Sequence, residues 1–175
     1  MIDPQTCDWS QFEIVFYYNK PVDQVFKYWA TWAGLEAFFI EEARYVTPNG
    51  TLRGAHEIVQ PGDQYQWNWR QPFTVEGEIT DVKLNEEISF TFGVMQVSVH
   101  FTQLGEQTEV HLMQTDIPDT AVGLVFGHLN CHSCWVFFFT NLSSIFETSR
   151  DLRDANPDRV SSMVVGFSPL SKQKN

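Results

Sequence analysis

The stretch CHSCWVFFFTNLSSIFETSRDLR, residues 131–153, decides how this chain is read. Two cysteines and a histidine ahead of an aromatic run fit three different things: a metal site, a membrane span, or the wall of an enclosed space. Periodicity separates them. Leu124, His128, Cys131, Trp135, Phe138, Leu142, Ile145, Ser149 and Leu152 recur at alternating steps of four and three, which is one continuous stripe on a long helix. The run WVFFF has strand propensity by itself, but the recurrence on both sides of it and the charged finish ETSRDLRD favour helix. Asp119 or Thr120, just after Pro118, supplies the N-cap, and Asn156 followed by Pro157 supplies the stop. At 1.5 Å per residue such a helix runs roughly 45 Å, enough to cross a whole sheet and be its main cover.

The other two readings are weaker. Thr120 to Phe146 contains no Asp, Glu, Lys or Arg and is long enough for a membrane helix. However, His128, Asn130, His132 and Asn141 lie inside it with three serines, and such groups are costly at membrane depth. A metal at His128, Cys131, His132 and Cys134 has suitable i, i+3, i+4 spacing for the first three, but the only other cysteine is Cys7, and His128 and Cys131 share their stripe with Trp135 and Phe138. Buried cysteines commonly pack as small hydrophobes. No metal, no cofactor and no membrane span is expected.

Working back from the helix, MQVSVHFTQLGEQTEVHLMQ (95–114) reads as a hairpin around a two-residue Gly105-Glu106 turn. That turn pairs Phe101 with Val110 and Val99 with Leu112 on the dry face, and sets His100 opposite His111 on the polar face, where two solvated histidines fall short of a structural metal set. Further strands are marked by turns at 48–50, 61–63 and 84–87. YQWNWR puts Tyr65, Trp67 and Trp69 on one face, VEGEI puts Val75, Gly77 and Ile79 on one, and ISFTFGV puts Ile88, Phe90, Phe92 and Val94 on one. Before them, FEIVFYY (12–18) is a strand. PVDQVFKYWA follows as a helix opened by Pro21, and Thr31 caps a second helix carrying Trp32, Leu35 and Phe39.

Composition narrows the function. The 175 residues include fifteen Phe and six Trp, which suits a lined cavity, and the net charge of -11 opposes nucleic acid and anionic membranes alike. Three cysteines and the beginning MIDPQTCDWSQFE, without a basic segment leading into an apolar one, point to a cytoplasmic protein with reduced thiols.

This order is α+β: a strand, two short helices, a multi-stranded antiparallel sheet and one long C-terminal helix. The chain resembles the START-like (SRPBCC, Bet v 1-type helix-grip) superfamily, and within it the C-terminal domain of activators of the heat-shock chaperone ATPase. PVDQVFKYWATWAGLEAFF, GDQYQWNW, VEGEITDV with EEISFTFG, the VSVHF and TEVHLMQ strands, and TNLSSIFETSRDLR carry the resemblance across nearly the whole chain. It implies a curved antiparallel sheet with two short helices wrapped around the long C-terminal helix. One domain is expected over residues 1–155, followed by a tail, 156–175, expected to dock briefly through the apolar patch Met163 to Phe167 and to fray after it. It further implies a cavity between sheet and helix for a lipid-, sterol- or polyketide-like ligand.

The residues expected to line that cavity are Trp67, Trp69, Phe90, Phe92, His128, Cys131, Trp135, Phe138 and Asn141. The aromatic ones either fill a solid core or line a pocket, and sequence leaves both open. Binding without catalysis is the leading expectation. There is no nucleophile elbow, phosphate loop or HExxH, so no catalytic residue is assigned. The alternatives are a cyclase- or hydrolase-like enzyme, for which His128 or Asn141 with Arg70 at the mouth would serve as polar groups, and a module that contacts a chaperone through its acidic surface.

Overall fold

The computed structural model describes residues 6–69 and 73–156. Strands β1 (Phe12–Tyr18), β2 (Glu42–Val46), β3 (Gln64–Asn68), β4 (Thr74–Lys83), β5 (Glu87–Phe92), β6 (Met95–Leu104) and β7 (Gln107–Thr115) form one curved sheet in the order β1-β7-β6-β5-β4-β3-β2. Every neighbouring pair is antiparallel, and β4 carries a bulge between Ile79 and Asp81 that re-aims the strand. The hairpin register agrees with expectation: Phe101 faces Val110, Val99 faces Leu112, and His100 faces His111. Gly105 takes a positive φ of 61°, the conformation its turn requires and one only glycine adopts cheaply.

Helices α1 (Val22–Ala30) and α2 (Trp32–Phe38) join β1 to β2. Thr31 ends the first and caps the second, its Oγ1 accepting from the Gly34 amide at 3.1 Å. The long β2–β3 connection is tied down by Arg53, which donates twice to the fully buried Asp63 carboxylate. The core lies between the concave sheet face and the three helices, with Tyr65, Trp67, Phe90, Val97, Val99 and Leu112 pointing in from the strands.

The C-terminal helical region differs from the simple stripe in two ways. Thr120 is its cap, its Oγ1 accepting from Gly123, but Gly123–Asn130 is π-helical and only Cys131–Thr148 is regular α-helix (α3). The wider i→i+5 turn shifts the phase. Stepping back from Cys131, the residues that meet the sheet are Gly127 and Gly123, while Leu124 and His128 rotate to half-buried flanks. Glycine is required there: a Cβ on Gly123 would sit 2.0 Å from the Pro118 carbonyl oxygen, and one on Gly127 2.8 Å from Ile117 Cγ2.

The second difference is the end. α3 stops at Thr148, where Ser149 adopts a left-handed φ of 57°, rather than running on to Asn156. Ser149 and Leu152 are therefore exposed and off the helix. Val94 is likewise not on the dry face of β5; the strand ends at Phe92, Gly93 turns, and Val94 is 75% exposed. Among the described residues, no helix is long and apolar enough to cross a membrane.

Candidate ligand-binding site

Beneath α3 the aromatic residues meet as one cluster. Phe39 stacks on Trp135 with ring centroids 4.8 Å apart, and Phe138 meets Phe39 edge-on at 4.8 Å. Phe92 lies 6.0 Å from Trp135, Trp67 5.0 Å from Phe90, and Phe39 5.1 Å from Trp69. Of the residues predicted to line the space, Trp67, Trp69, Phe90, Trp135 and Phe138 are buried and brought together here, with Phe92 half-buried beside them. Three further contributors come from elsewhere. Phe39 follows directly on α2, Trp29 comes from α1, and Phe101 comes from β6.

The polar candidates are placed differently. His128 turns away from the interior: its Nδ1 lies 3.1 Å from the Trp9 carbonyl oxygen, and its ring packs edge-on against Trp9 and Phe12. Asn141 is fully buried, but its amide group is committed to the backbone and to the chain beyond α3. Nδ2 donates to the Phe38 carbonyl at 2.8 Å and to Asp151 at 3.0 Å, and Oδ1 accepts from the Leu152 amide at 2.6 Å. Asn141 and His128 therefore do not meet, and Arg70 lies outside the described residues.

Cys131 is buried and its thiol donates to the Phe126 carbonyl at 3.1 Å, which also accepts from the Cys131 amide. Burial pushes its thiol pKa up, against the Gln114 amide, and burial with the neighbouring Cys131 pushes the Cys134 thiol to about 12. Both stay protonated, so neither is poised as a nucleophile or ligand. Burial, and then the charge of His128, lowers the His132 pKa. Among the described residues no three His, Cys, Asp or Glu side chains converge for a metal. On the outer face, His111 pairs with Glu13 at 2.9 Å, and His100 lies 3.9 Å from Glu87.

The polar centre of the interior is Gln114, which the sequence reading did not single out. It closes the inward row Thr108, Val110, Leu112 of β7 and is fully buried. Its Oε1 accepts from Trp135 Nε1 at 2.9 Å, and its Nε2 donates to the Gly127 carbonyl at 2.9 Å, joining sheet, π-helical segment and α3. Trp29 Nε1 is the one buried side-chain polar atom among the described residues with no hydrogen-bond partner, and it lies among the rings of Phe38, Phe101, Trp135 and Phe139.

On the far side of Phe39 and Trp69 the surface opens into a recess of about 320 Å³. Its rim is formed by Glu36, Glu41, Asp151 and Asp154, and by the chain at Arg153 to Ala155. Arg153 holds that rim in place by donating to the carbonyls of Glu36, Ala37 and Ile40 and to Asp151, so it also caps the last turn of α2.

The same architecture occurs in solved structures. The protein SSP2350 from Staphylococcus saprophyticus superposes with a TM-score of 0.62 at 17% identity, covering 82% of this chain and 98% of that one. The Aha1 dimer from Colwellia psychrerythraea gives 0.64 at 12% identity, covering 80% and 98%. DynU16, from the dynemicin biosynthetic locus, gives 0.65 at 14% identity, covering 83% of this chain and 50% of that one. At these identities the likeness is one of fold. No curated protein matches the sequence. The family described as activator of Hsp90 ATPase homolog 1-like protein matches residues 19–147, most of the chain, and the chain belongs to that family.

Proposed function

We propose that this protein binds a small apolar or amphipathic ligand, of lipid-, sterol- or polyketide-like character, between the sheet and α3, without catalysis. The observation that carries the reading is the recess of about 320 Å³ between the end of α2, Trp69 and the chain at Asp151 to Ala155, which borders the space under α3 through Phe39. Those two rings form the boundary between the recess and the Trp135 cluster. A guest seated against them is one ring-displacement away from a wholly aromatic interior. The unpartnered Trp29 Nε1 supports an acceptor-bearing guest, because an oxygen placed there would satisfy a donor now buried at a cost. The absence of catalysis is argued from Gln114 and Asn141, whose amides are committed to the fold, and from thiols that burial keeps neutral. A cytoplasmic setting belongs to the same proposal, with Cys131 and Cys134 held as thiols.

Native mass spectrometry and organic extraction of the purified protein test this, with the neutral fluorophore Nile red as a titrated probe. A co-purifying molecule, or saturable Nile red binding weakened by Trp69→Ala, is the expected result. Finding no bound molecule and no saturable Nile red binding would remove the proposal.

Association with a chaperone is a second reading, favoured by the family description and by the net charge of -11. A pull-down repeated across a salt series tests it: an acidic-surface contact weakens as salt rises, and an unchanged yield counts against it.

A further inference from the structure

The sheet has two edges, and the chain closes one of them. At β2 the outer side is occupied: Val46 bridges to Leu52, the Arg53 amide donates to the Tyr45 carbonyl at 3.0 Å, and the Ala43 amide donates to Glu36 Oε1 at 2.9 Å. The β1 edge is built differently. Among the described residues β1 has β7 along one side and no strand along the other. Its seven residues, FEIVFYY, pair with β7 without a break in register and contain no Pro, Lys or bulge, the devices that normally keep an edge from pairing. Such an edge is a template for one more strand.

Apolar side chains flank this edge on both faces of the sheet. On the convex face Val15 is 43% exposed, with Tyr17 exposed beside it, and on the helix side Val136 is 37% exposed. α3 runs alongside β1, since His132 packs on Phe12, Phe139 on Phe16 and Phe146 on Tyr18. Position 15 of the strand is therefore level with the stretch between His132 and Phe139, where the exposed apolar side chain is Val136. The two valines mark one point of the edge from opposite sides.

Symmetry and charge select the occupant. Antiparallel pairing of β1 with a second β1 about Val15 sets Val15 against Val15, Ile14 against Phe16 and Glu13 against Tyr17. The one carboxylate of each strand then faces a phenol rather than its own image. This register joins odd positions to odd and even to even, so the outward amides and carbonyls of one strand meet those of the other. On a chain of net charge -11 two copies repel across most of their surface. No Asp, Glu, Lys or Arg lies between Thr120 and Phe146, so the face of α3 beside β1 is where a second acidic copy approaches at least electrostatic cost.

We infer that β1 is a dimerisation edge: two copies of this chain pair antiparallel through β1, on a two-fold axis passing Val15 and Val136. The pairing joins the two sheets into one and sets the two α3 helices side by side.

The test uses the full chain without ligand. Sedimentation equilibrium over a concentration series is expected to show a two-chain species whose share rises with salt, because salt screens the repulsion between acidic copies. Outward amides of β1 are expected to exchange at least ~10-fold more slowly as this species forms, with β2 unchanged. Val15→Lys and Val136→Asp, both at exposed positions, are each expected to leave only monomer with an unchanged far-UV circular dichroism spectrum. Val15→Cys is expected to link two chains through position 15 on mild oxidation. A chain that stays monomeric up to its solubility limit, a dimer that survives both charged substitutions, or a link through a different cysteine would each overturn the inference. Protection of the outward β1 amides in the monomer would overturn it too, by placing another part of the same chain on the edge.

Discussion

Phe39 lies flat on Trp135, their ring centroids 4.8 Å apart and their planes 23° apart. This stack separates the recess from the aromatic interior, because Phe39 lines the recess while Trp135 is buried. Removing the Phe39 ring joins the two spaces. Phe39→Ala is expected to destabilise the fold by about 3–5 kcal/mol in urea unfolding, the usual cost of a large core truncation. The same variant, if still folded, is expected to bind Nile red more tightly than the parent. Phe39→Leu, which refills most of the volume, separates the two effects with a smaller loss of stability.

Gln114 makes a second prediction. Replacing it with Leu keeps most of the volume but strands Trp135 Nε1 and the Gly127 carbonyl in the interior. Each unpaired buried group costs ~1–3 kcal/mol, so Gln114→Leu is expected to lose about 2–6 kcal/mol. Trp135→Phe removes the stranded donor in advance. The double variant is therefore expected to lose less than the sum of the single losses in a denaturation cycle.

Signals confined to a few residues were the legible ones. The Gly105-Glu106 turn set the β6–β7 register, and Thr31 and Thr120 capped their helices as their side chains dictate. What sequence periodicity could not show was the phase of the π-helical segment, since Leu124 and His128 fit an α-helical stripe as well as any core residues do. The available signal was Gly123 with Gly127: two glycines inside a helix cost about 1 kcal/mol each relative to alanine and are kept where backbones must approach closely. Gln114 was also visible in principle, as the polar end of an otherwise inward row, but its partners come from two other elements, the π-helical segment and α3. The helix end at Thr148 was hidden because the heptad-like spacing continues through Ser149 and Leu152. What stops the helix is the tertiary clasp of Asn141 and Arg153 on the returning chain.

The glycines lead to a third prediction, one that runs against helix propensity. Alanine is the better helix former by about 1 kcal/mol, so Gly123→Ala on an exposed helix would stabilise. Here the new methyl group would meet the Pro118 carbonyl oxygen at 2.0 Å, and backbone has to move. A net loss of about 1–3 kcal/mol is expected, read as a lower Tm. Gly127→Ala is expected to lose less, because Met95 Sδ, at 3.1 Å, is the mobile end of a flexible side chain, although Ile117 Cγ2 at 2.8 Å must still give.

The clasp after α3 titrates. Burial acts to raise the pKa of the Asp151 carboxyl, but the hydrogen bonds and charge of Arg153, its backbone amide and the Asn141 side chain outweigh it, and the carboxyl is held below its ordinary value of 3.8. A group with a folded pKa below its unfolded one binds protons more readily in the unfolded chain. Its contribution to stability is thus complete above about 3.8 and is lost as pH falls from there through the folded value. Glu87, held low by the Lys83 hydrogen bond, with burial opposing and Ser89 assisting, adds to the same acid limb from the middle strand β5. Asp151→Asn is therefore expected to be less stable than the parent at neutral pH, and to show a shallower fall of urea midpoint as pH drops below 3.8. Since Asp151 also orients the Arg153 guanidinium on the α2 carbonyls, its loss is expected to speed amide exchange at residues 151–155. An acid limb unchanged in Asp151→Asn would show that the clasp carries no pH-dependent stability.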